Sequence, residues 1–322
     1  NLRRDRLSLA DEECARAINA DFHTKPGAAL LRSGRTRLTA TTYAGHVVAL
    51  ATVNTRRYVV TTTSVYRGDT FLLVGLDATG SQMASYRPFG DTTTWVFLAN
   101  RAAMRKDDGL SFLPWGITAP TATPTVAAGA AGTLTGSFGC CYTYLRKAGT
   151  NIVAESDPSP ASAAQTLTAQ VLSVSGLTDA TDSQVTHKRL YRTLNAGGLY
   201  FVDQDVALGT TTATSSQADS ALGAQADFDN APPPLANAVA EFQGTFFLVG
   251  DAAHPDYLWY SKHFQPEAWP PANFLQIGTP QDPLLCLAPQ VGLMGVFTAR
   301  TKYRVSGNNA SGYTYLEAVS TR

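Results

Sequence analysis

The stretch HVVALATVNTRRYVVTTTSVYRGDTFLLVGL, residues 46–76, indicates the fold class. Valine, leucine, threonine and tyrosine dominate three segments of it, at residues 46–53, 57–64 and 70–76. These residue types favour strands, in which successive side chains point to opposite faces. Turn-forming residues separate the segments, at Asn54 and at Gly68-Asp69. The stretch therefore predicts three antiparallel strands joined by short turns.

The same pattern continues on both sides. Further strands are predicted at Leu38–Thr42, Gln82–Tyr86 and Thr93–Asn100, and turn residues recur about every 10–13 positions. This spacing is typical of the meanders of sandwiches, barrels and propellers. Before them, SLADEECARAINA at residues 8–20 predicts a helix, because it begins with capping residues and carries acidic residues in its first turn. We expect an all-β fold with a short N-terminal helix.

The middle of the chain differs in composition. Residues 114–135, rich in Pro, Ala, Thr and Gly, are interpreted as a linker, and residues 231–234 as a second, stiff one. Short strands are predicted between them at Gly136–Lys147, Ala154–Ser159, Gln165–Ser173, His187–Thr193, Leu199–Val206 and Thr210–Thr214. Their number and length fit a sandwich of the immunoglobulin or fibronectin type.

Strands return in the last third of the chain. They are predicted at Glu241–Gly250, Tyr257–Ser261, Leu275–Ile277, Leu284–Pro289, Leu293–Thr298 and Thr301–Ser306. Residues 246–249 alternate poorly, which predicts burial on both faces. We therefore divide the chain into residues 1–114, the N-terminal helix and a propeller-like β part, residues 115–234, an inserted sandwich with its linkers, and residues 235–322, a second propeller-like β part.

Composition excludes several classes of protein. The net charge is zero, which argues against a nucleic-acid binder that relies on bulk charge. Charged residues make up 16% of the chain, against about 25% in globular proteins. So low a fraction is typical of β proteins whose surfaces are largely covered by neighbouring molecules. There is no apolar run of about 18 residues and no signal peptide, so we expect no membrane span. The chain begins without Met, so we expect a processed or partial form of a longer product.

No motif for catalysis or cofactor binding is present. The four cysteines form no CxxC pair and have no histidine at metal-ligand spacing, so ordinary buried thiols are the simplest interpretation: Cys14, Cys140, Cys141 and Cys286. P-loop, G-x-G-x-x-G, H-E-x-x-H and G-x-S-x-G patterns are missing. We expect a protein that is not an enzyme and needs no cofactor.

Four stretches, taken together, resemble a known family. They are AINADF at 17–22 with LRSG at 31–34; YTY at 142–144 with ESDPSP at 155–160; KRLYRT at 188–193 with YFV at 200–202; and FFLVG at 246–250 with WYS at 259–261, PEAW at 266–269 and VSG at 305–307. Their order resembles that of phage tail nozzle proteins of the tail tubular protein B type and of tail-hub propellers. The second and third look like the fibronectin-like module of phage tail proteins, and the fourth looks like a propeller blade.

The resemblance implies a structural role in the virion tail, with assembly in the host cytoplasm. Such nozzles form rings, usually of six copies, that extend the DNA channel and perform no covalent chemistry. The implied partners are other copies of the chain, an adaptor, a portal-proximal ring or a tail fibre, and, transiently, genomic DNA.

Two groups of residues are candidates for subunit or DNA-channel contacts. Arg3, Arg4 and Arg6 form a basic arm that could grip a neighbour or line a channel, and a solvated terminus is an equal alternative. Arg189, Tyr191 and Arg192 lie in one predicted strand, and Tyr and Arg are favoured at interfaces. Cross-strand pairing with Asp203 or Asp205 is the alternative that we favour.

Two further clusters are weaker candidates. Asp251, His254, Asp256, His263 and Glu267 could bind a metal or act as a carboxylate pair, but capping of loop turns is the preferred interpretation. Tyr257, Trp259, Tyr260 and Trp269 could stack on sugars, but filling the gap between sheets is preferred.

Two rival functions remain open. One is a secreted β-propeller that binds or processes carbohydrate, with the sandwich as an accessory module; it needs convergent carboxylates at one mouth of the propeller. The other is a receptor-binding fibre, which we expect to be trimeric.

Overall fold

The structure is a computed structural model, and it describes residues 20–21, 30–31, 41–308 and 310–317. The chain divides into two units, Asn1–Thr42 and Tyr43–Arg322. In the first unit, β1 (Ala20–Asp21) pairs antiparallel with β2 (Leu30–Leu31). In the described part of the second unit, the strands form six antiparallel sheets, none of which closes on itself. The protein is therefore all-β, as predicted.

The first two sheets are meanders of four consecutive strands. The first contains β3 (Val47–Val53), β4 (Arg56–Thr61), β5 (Ser64–Arg67) and β6 (Thr70–Val74). The second contains β7 (Gln82–Tyr86), β8 (Trp95–Ala99), β9 (Arg105–Asp107) and β10 (Phe112–Pro114).

Two sheets of different topology follow. The first pairs β11 (Thr125–Phe138), β14 (Gln165–Ser175) and β17 (Thr212–Ser215) in that order. The second has the order β13 (Asn151–Glu155), β12 (Cys140–Ala148), β15 (His187–Thr193) and β16 (Tyr200–Ala207). Leu167 and Leu172 of one sheet share a buried apolar cluster with Tyr142 and Leu190 of the other.

Two more four-strand meanders complete the described chain. The third contains β18 (Ala238–Phe242), β19 (Thr245–Val249), β20 (Tyr257–Tyr260) and β21 (Phe274–Gln276). The fourth contains β22 (Cys286–Gln290), β23 (Leu293–Phe297), β24 (Lys302–Asn308) and β25 (Gly312–Glu317).

The four meanders contact one another mainly through their first strands. β3 lies against β7, β7 against β18, and β18 against β22. Apolar clusters fill each of the three interfaces. β19 is buried on both faces, as residues 246–249 predict: Phe246 and Leu248 belong to the cluster shared with the second meander, and Phe247 and Val249 to the cluster shared with the fourth.

The interpretation of residues 114–135 as a linker is wrong for its second half. β11 begins at Thr125 and pairs with β14 over most of its length, with three irregularities of register. Small residues are needed along it because a Cβ at Gly132 would lie 2.6 Å from Cγ1 of Val171. An Ala- and Gly-rich segment thus forms a strand because a neighbouring strand approaches it closely.

The single strand predicted at Glu241–Gly250 is also wrong. The segment contains the end of β18, a tight turn at Gln243-Gly244, and β19. Gln243 and Gly244 both have positive φ, 52° and 77°. Two consecutive residues with positive φ match the twist of an antiparallel hairpin. The usual sequence of such a turn is Asn-Gly, so Gln-Gly does not identify it as a hairpin turn.

The remaining predictions about helices and thiols have mixed outcomes. The predicted helix at 8–20 lies outside the described residues, except for Ala20, which belongs to β1. The described part contains one 3₁₀ helix, Asp219–Ala221, and no helix of it has the length and hydrophobicity needed to cross a bilayer. Cys140 and Cys141 are buried free thiols, Cys286 is a half-buried one, and Cys14 lies outside the described residues.

Candidate functional site

The residues predicted to contact a partner or DNA fall in two places. Arg3, Arg4 and Arg6 lie outside the described residues, so their contacts stay a prediction. Arg189, Tyr191 and Arg192 lie in β15, which has a neighbouring strand on each side.

Arg189 makes the cross-strand pair that the alternative interpretation names. Its Nε donates to Oδ1 of Asp205 at 2.7 Å, and its Nη2 donates to Oδ2 at 3.1 Å. Asp205 lies directly opposite on β16 and also binds Lys147. Burial opposes ionisation of this carboxyl, but Arg189 and Lys147 outweigh it and lower the pKa of Asp205. The bidentate geometry fixes the guanidinium.

Arg192 is fully buried and has its partners within its own chain. Nη1 binds Asp219 at 3.1 Å, and Nη2 donates to the carbonyl of Gln217 at 2.8 Å. Its guanidinium lies 4.7 Å from the ring centre of Phe138, a favourable cation–π distance. The side chain therefore holds the loop around residues 217–219 against the two sheets formed by β11–β17, which we name the two-sheet region.

Tyr191 belongs to a hydrogen-bonded group around the half-buried carboxyl of Glu155. Its hydroxyl donates to Oε1 of Glu155 at 2.5 Å, and the hydroxyl of Thr143 donates to the same oxygen at 2.6 Å. Burial raises the pKa of Glu155, although both hydroxyls work in the opposite direction. Burial and then the neighbouring Glu155 raise the pKa of Tyr191. Two donors from neighbouring strands, β12 and β15, therefore bind the same oxygen of this carboxyl.

An open cleft of about 480 Å³ lies over this group, and we name it the Glu155 cleft. Glu155, Arg189 and Tyr191 line it together with three amide side chains, the rings of Phe89 and Phe264, several apolar residues, and the side chains of Asp227 and His263. Its volume lies within the range of small-ligand pockets, roughly 300–1,000 Å³. Two of the residues predicted from the sequence are therefore brought together here, and Arg192 is not.

A second polar group is buried between the two-sheet region and the meanders. Glu267 binds Lys106 of β9 and, at 2.6 Å, Arg146 of β12; Arg146 also binds Asp91 at 2.9 Å. Both cations lie 4.8 Å from the ring centre of Trp95. Burial lowers the pKa of Lys106 to about 8, against the attraction of Glu267. We name this group the ionic cluster, and every charge in it has an opposite partner.

The polar residues at 251–267 do not form one site. Asp251 accepts hydrogen bonds from the backbone of Ala253 and from His254 and Trp259, whereas Glu267 belongs to the ionic cluster. Asp256 accepts a hydrogen bond from Gln276 at 2.8 Å. Within the described ranges, no three His, Cys, Asp or Glu side chains are grouped so as to hold a metal ion.

Three of the four aromatic residues predicted as sugar-stacking candidates pack between sheets, whereas Tyr257 stacks on Phe274 of the adjacent strand, with ring centres 4.2 Å apart. Trp269 is buried against Trp115, with ring centres 5.8 Å apart. Trp259 packs against the same apolar cluster, and Tyr260 against the cluster between the third and fourth meanders.

Two exposed aromatic residues at the Glu155 cleft were not identified from the sequence. Phe89 is 85% exposed and Phe264 is 48% exposed. Both lie in turn segments, Pro-Phe-Gly at 88–90 and His-Phe-Gln at 263–265, where polar residues are usual. An aromatic residue in a turn is the signal that could have identified them.

No protein-family model matches the chain, and no curated protein is significantly similar to it.

Proposed function

We propose that this chain is a structural subunit of a bacteriophage tail, a nozzle or tail-hub component. In this proposal the four meanders are blades of a propeller-like framework, and the two sheets between the second and third are an inserted immunoglobulin- or fibronectin-like sandwich. Subunits of this kind associate into a ring around the DNA channel.

The observation that supports the proposal is the order of the sheets. Two four-strand meanders precede the two-sheet region and two follow it, and the first strands of all four lie side by side in chain order. Propeller blades are four-stranded meanders arranged in this manner. The shared core of the two central sheets is what a sandwich requires. This is the arrangement that the sequence resemblance implies.

The ionic cluster also supports a structural role. It joins Lys106 and Asp91 of the second meander region, Arg146 of the two-sheet region and Glu267 of the third meander region. A buried cluster adds little net stability compared with apolar packing, but its geometry admits few alternatives. It would hold the insert at a defined angle to the framework.

The outer face of the first meander is the surface that we assign to a second copy. Leu50, Val59, Tyr66 and Phe71 lie opposite one another across this sheet. Leu50 is 72% exposed and Phe71 is 53% exposed at the two ends of this row, whereas Val59 and Tyr66 between them are buried; the other face of the sheet packs on the second meander. A neighbouring subunit placed there would continue the face-to-face packing that already joins the meanders. Exposed apolar surface of this kind usually marks an interface.

Mass measurement of the purified chain tests the proposal. We expect a closed ring of six copies by light scattering and by electron microscopy. Leu50→Asp should dissociate the ring, because a charge would be buried at the subunit contact. Leu110→Asp is the matched control and should leave the ring intact, since Leu110 is 88% exposed and lies between β9 and β10 of the second meander. A monodisperse monomer or trimer of the unchanged chain would reject the proposal.

A further inference from the structure

The Glu155 cleft contains an oxygen acceptor that its own neighbours leave unused. Both hydroxyl donors, from Tyr191 and Thr143, bind Oε1 of Glu155. In the part of the chain that the structure describes, no hydrogen bond is made to Oε2, and Glu155 lines the cleft. Glu155 is half-buried and its Oε2 does not belong to the buried atoms without a partner, so water or a ligand donor can reach this oxygen from the cleft. A ligand hydroxyl can fill that position.

Charges around the cleft are largely compensated. Arg189 is paired with Asp205, and Asp227 is paired with Lys262 at 3.0 Å. Burial raises the pKa of Glu155. Gln225 and Gln265 add neutral amide groups to the lining. This environment offers little attraction to a phosphate or to another strongly charged ligand, and it suits a neutral molecule with many hydroxyl groups.

Aromatic rings at the rim supply the apolar part of the site. Phe89 and Phe264 come from different turns and also border an adjoining cavity of about 320 Å³. Phe264 has φ of 59°, which is strained for a bulky residue. Its amide donates to the carbonyl of Gly244 at 2.7 Å, and its ring lies tilted by 34° against the ring of His263, with ring centres 3.8 Å apart. Strain of this kind, held in place by neighbours, is concentrated at functional sites.

We propose that the Glu155 cleft binds a neutral saccharide. The apolar face of a sugar ring packs on Phe264, with Phe89 covering the adjoining unit. Sugar hydroxyls donate to Oε2 of Glu155 and exchange hydrogen bonds with the amides of Gln225 and Gln265. The combination of a few placed polar groups with aromatic walls is the general composition of small-ligand sites.

Saturation-transfer NMR on the full chain tests this assignment. The probes are glucose, galactose, mannose, N-acetylglucosamine and maltose. We expect saturation transfer to the ring C–H protons of at least one probe, with Kd in the millimolar range typical of a small neutral ligand in an open site. No transfer to any of the five probes at concentrations up to that range would overturn the proposal.

Substitutions in the cleft test whether the saccharide binds there. Phe264→Ala should weaken the best probe about tenfold, because an aromatic contact contributes about that factor. Phe264→Tyr should keep the affinity, since it retains the ring, and Glu155→Gln should weaken it. Phe89→Ala removes the second aromatic ring of the rim and should also weaken binding, and Phe89 is too exposed for its loss to affect folding. Tyr315→Ala is the matched control, because Tyr315 is 40% exposed on β25 and does not line the cleft; it should leave the affinity unchanged.

The outcomes separate this inference from the proposed function. A chain that forms six-fold rings and binds none of the probes keeps the structural role and loses the saccharide site. A chain that binds a probe as a monomer keeps the saccharide site and loses the ring. Equal weakening by Phe264→Ala and Tyr315→Ala would reject the cleft as the location.

Discussion

At the scale of single residues, the Glu155 cleft depends on conformations that its sequence does not favour. Phe264 adopts a left-handed backbone that costs an ordinary residue roughly 1–2 kcal/mol. Gly244, whose carbonyl accepts the amide hydrogen of Phe264, could not carry a Cβ without a collision with the Phe264 ring. A binding role for the ring explains why a phenylalanine occupies a position at which glycine or asparagine would be more stable.

Comparison of two truncations measures this strain. Phe264→Ala and Phe264→Gly both remove the ring, but only glycine relaxes the left-handed backbone. We expect Phe264→Gly to be about 1 kcal/mol more stable than Phe264→Ala, in chemical denaturation followed by tryptophan fluorescence. Equal stability of the two variants would show that φ at this position is not strained. Both should be weak sugar binders.

At the scale of elements, the hairpin of β18 and β19 shows how a turn sets the position of a site. Gln243 and Gly244 reverse the chain with two positive φ angles. The carbonyl of Gly244 then accepts the amide hydrogen of Phe264 at 2.7 Å. The position of the aromatic rim therefore depends on a turn in a neighbouring sequence segment.

A substitution in this turn should stabilise the protein. Gln243→Asn replaces a residue that resists left-handed φ with one that tolerates it, next to the glycine of the usual Asn-Gly pair. We expect an increase in the free energy of unfolding of roughly 0.5–1 kcal/mol. Thermal melting of both proteins measures it, and Gln290→Asn, in β22 and outside this turn, is the control. A lower melting temperature for Gln243→Asn than for the unchanged chain would contradict the turn geometry.

At the scale of the whole molecule, the ionic cluster joins segments that are distant in sequence. Lys106 and Glu267 are separated by 161 residues, and Arg146 and Glu267 by 121. Burial opposes ionisation of Glu267, but Lys106 and Arg146 outweigh it and lower its pKa below 4.5. The unfolded chain therefore binds a proton at this carboxyl at a pH where the folded chain does not. Its stabilisation is complete above the ordinary carboxyl pKa and is lost as pH falls through the lowered one.

Removing the negative charge of Glu267 should lower the free energy of unfolding strongly at neutral pH and less strongly in acid. Glu267→Gln leaves two buried cations with one carboxylate between them, and we expect a loss of about 3–5 kcal/mol at neutral pH. The difference from the unchanged chain should shrink as pH falls below the ordinary carboxyl pKa. Urea titrations at several pH values measure both quantities. A difference that does not vary with pH would show that Glu267 is not ionised in the folded protein.

The sequence by itself determined the all-β class, because alternation and turn residues act locally. Strands such as Gln82–Tyr86 and His187–Thr193 have the predicted bounds for that reason. Only the tertiary structure decided that Thr125–Phe138 is a strand, since pairing with β14 overrides an Ala- and Gly-rich composition. It also decided the meeting of Glu155, Tyr191 and Phe264 at one cleft. Such residues come from different sheets and turns, and their approach depends on packing between distant segments, which no local pattern contains.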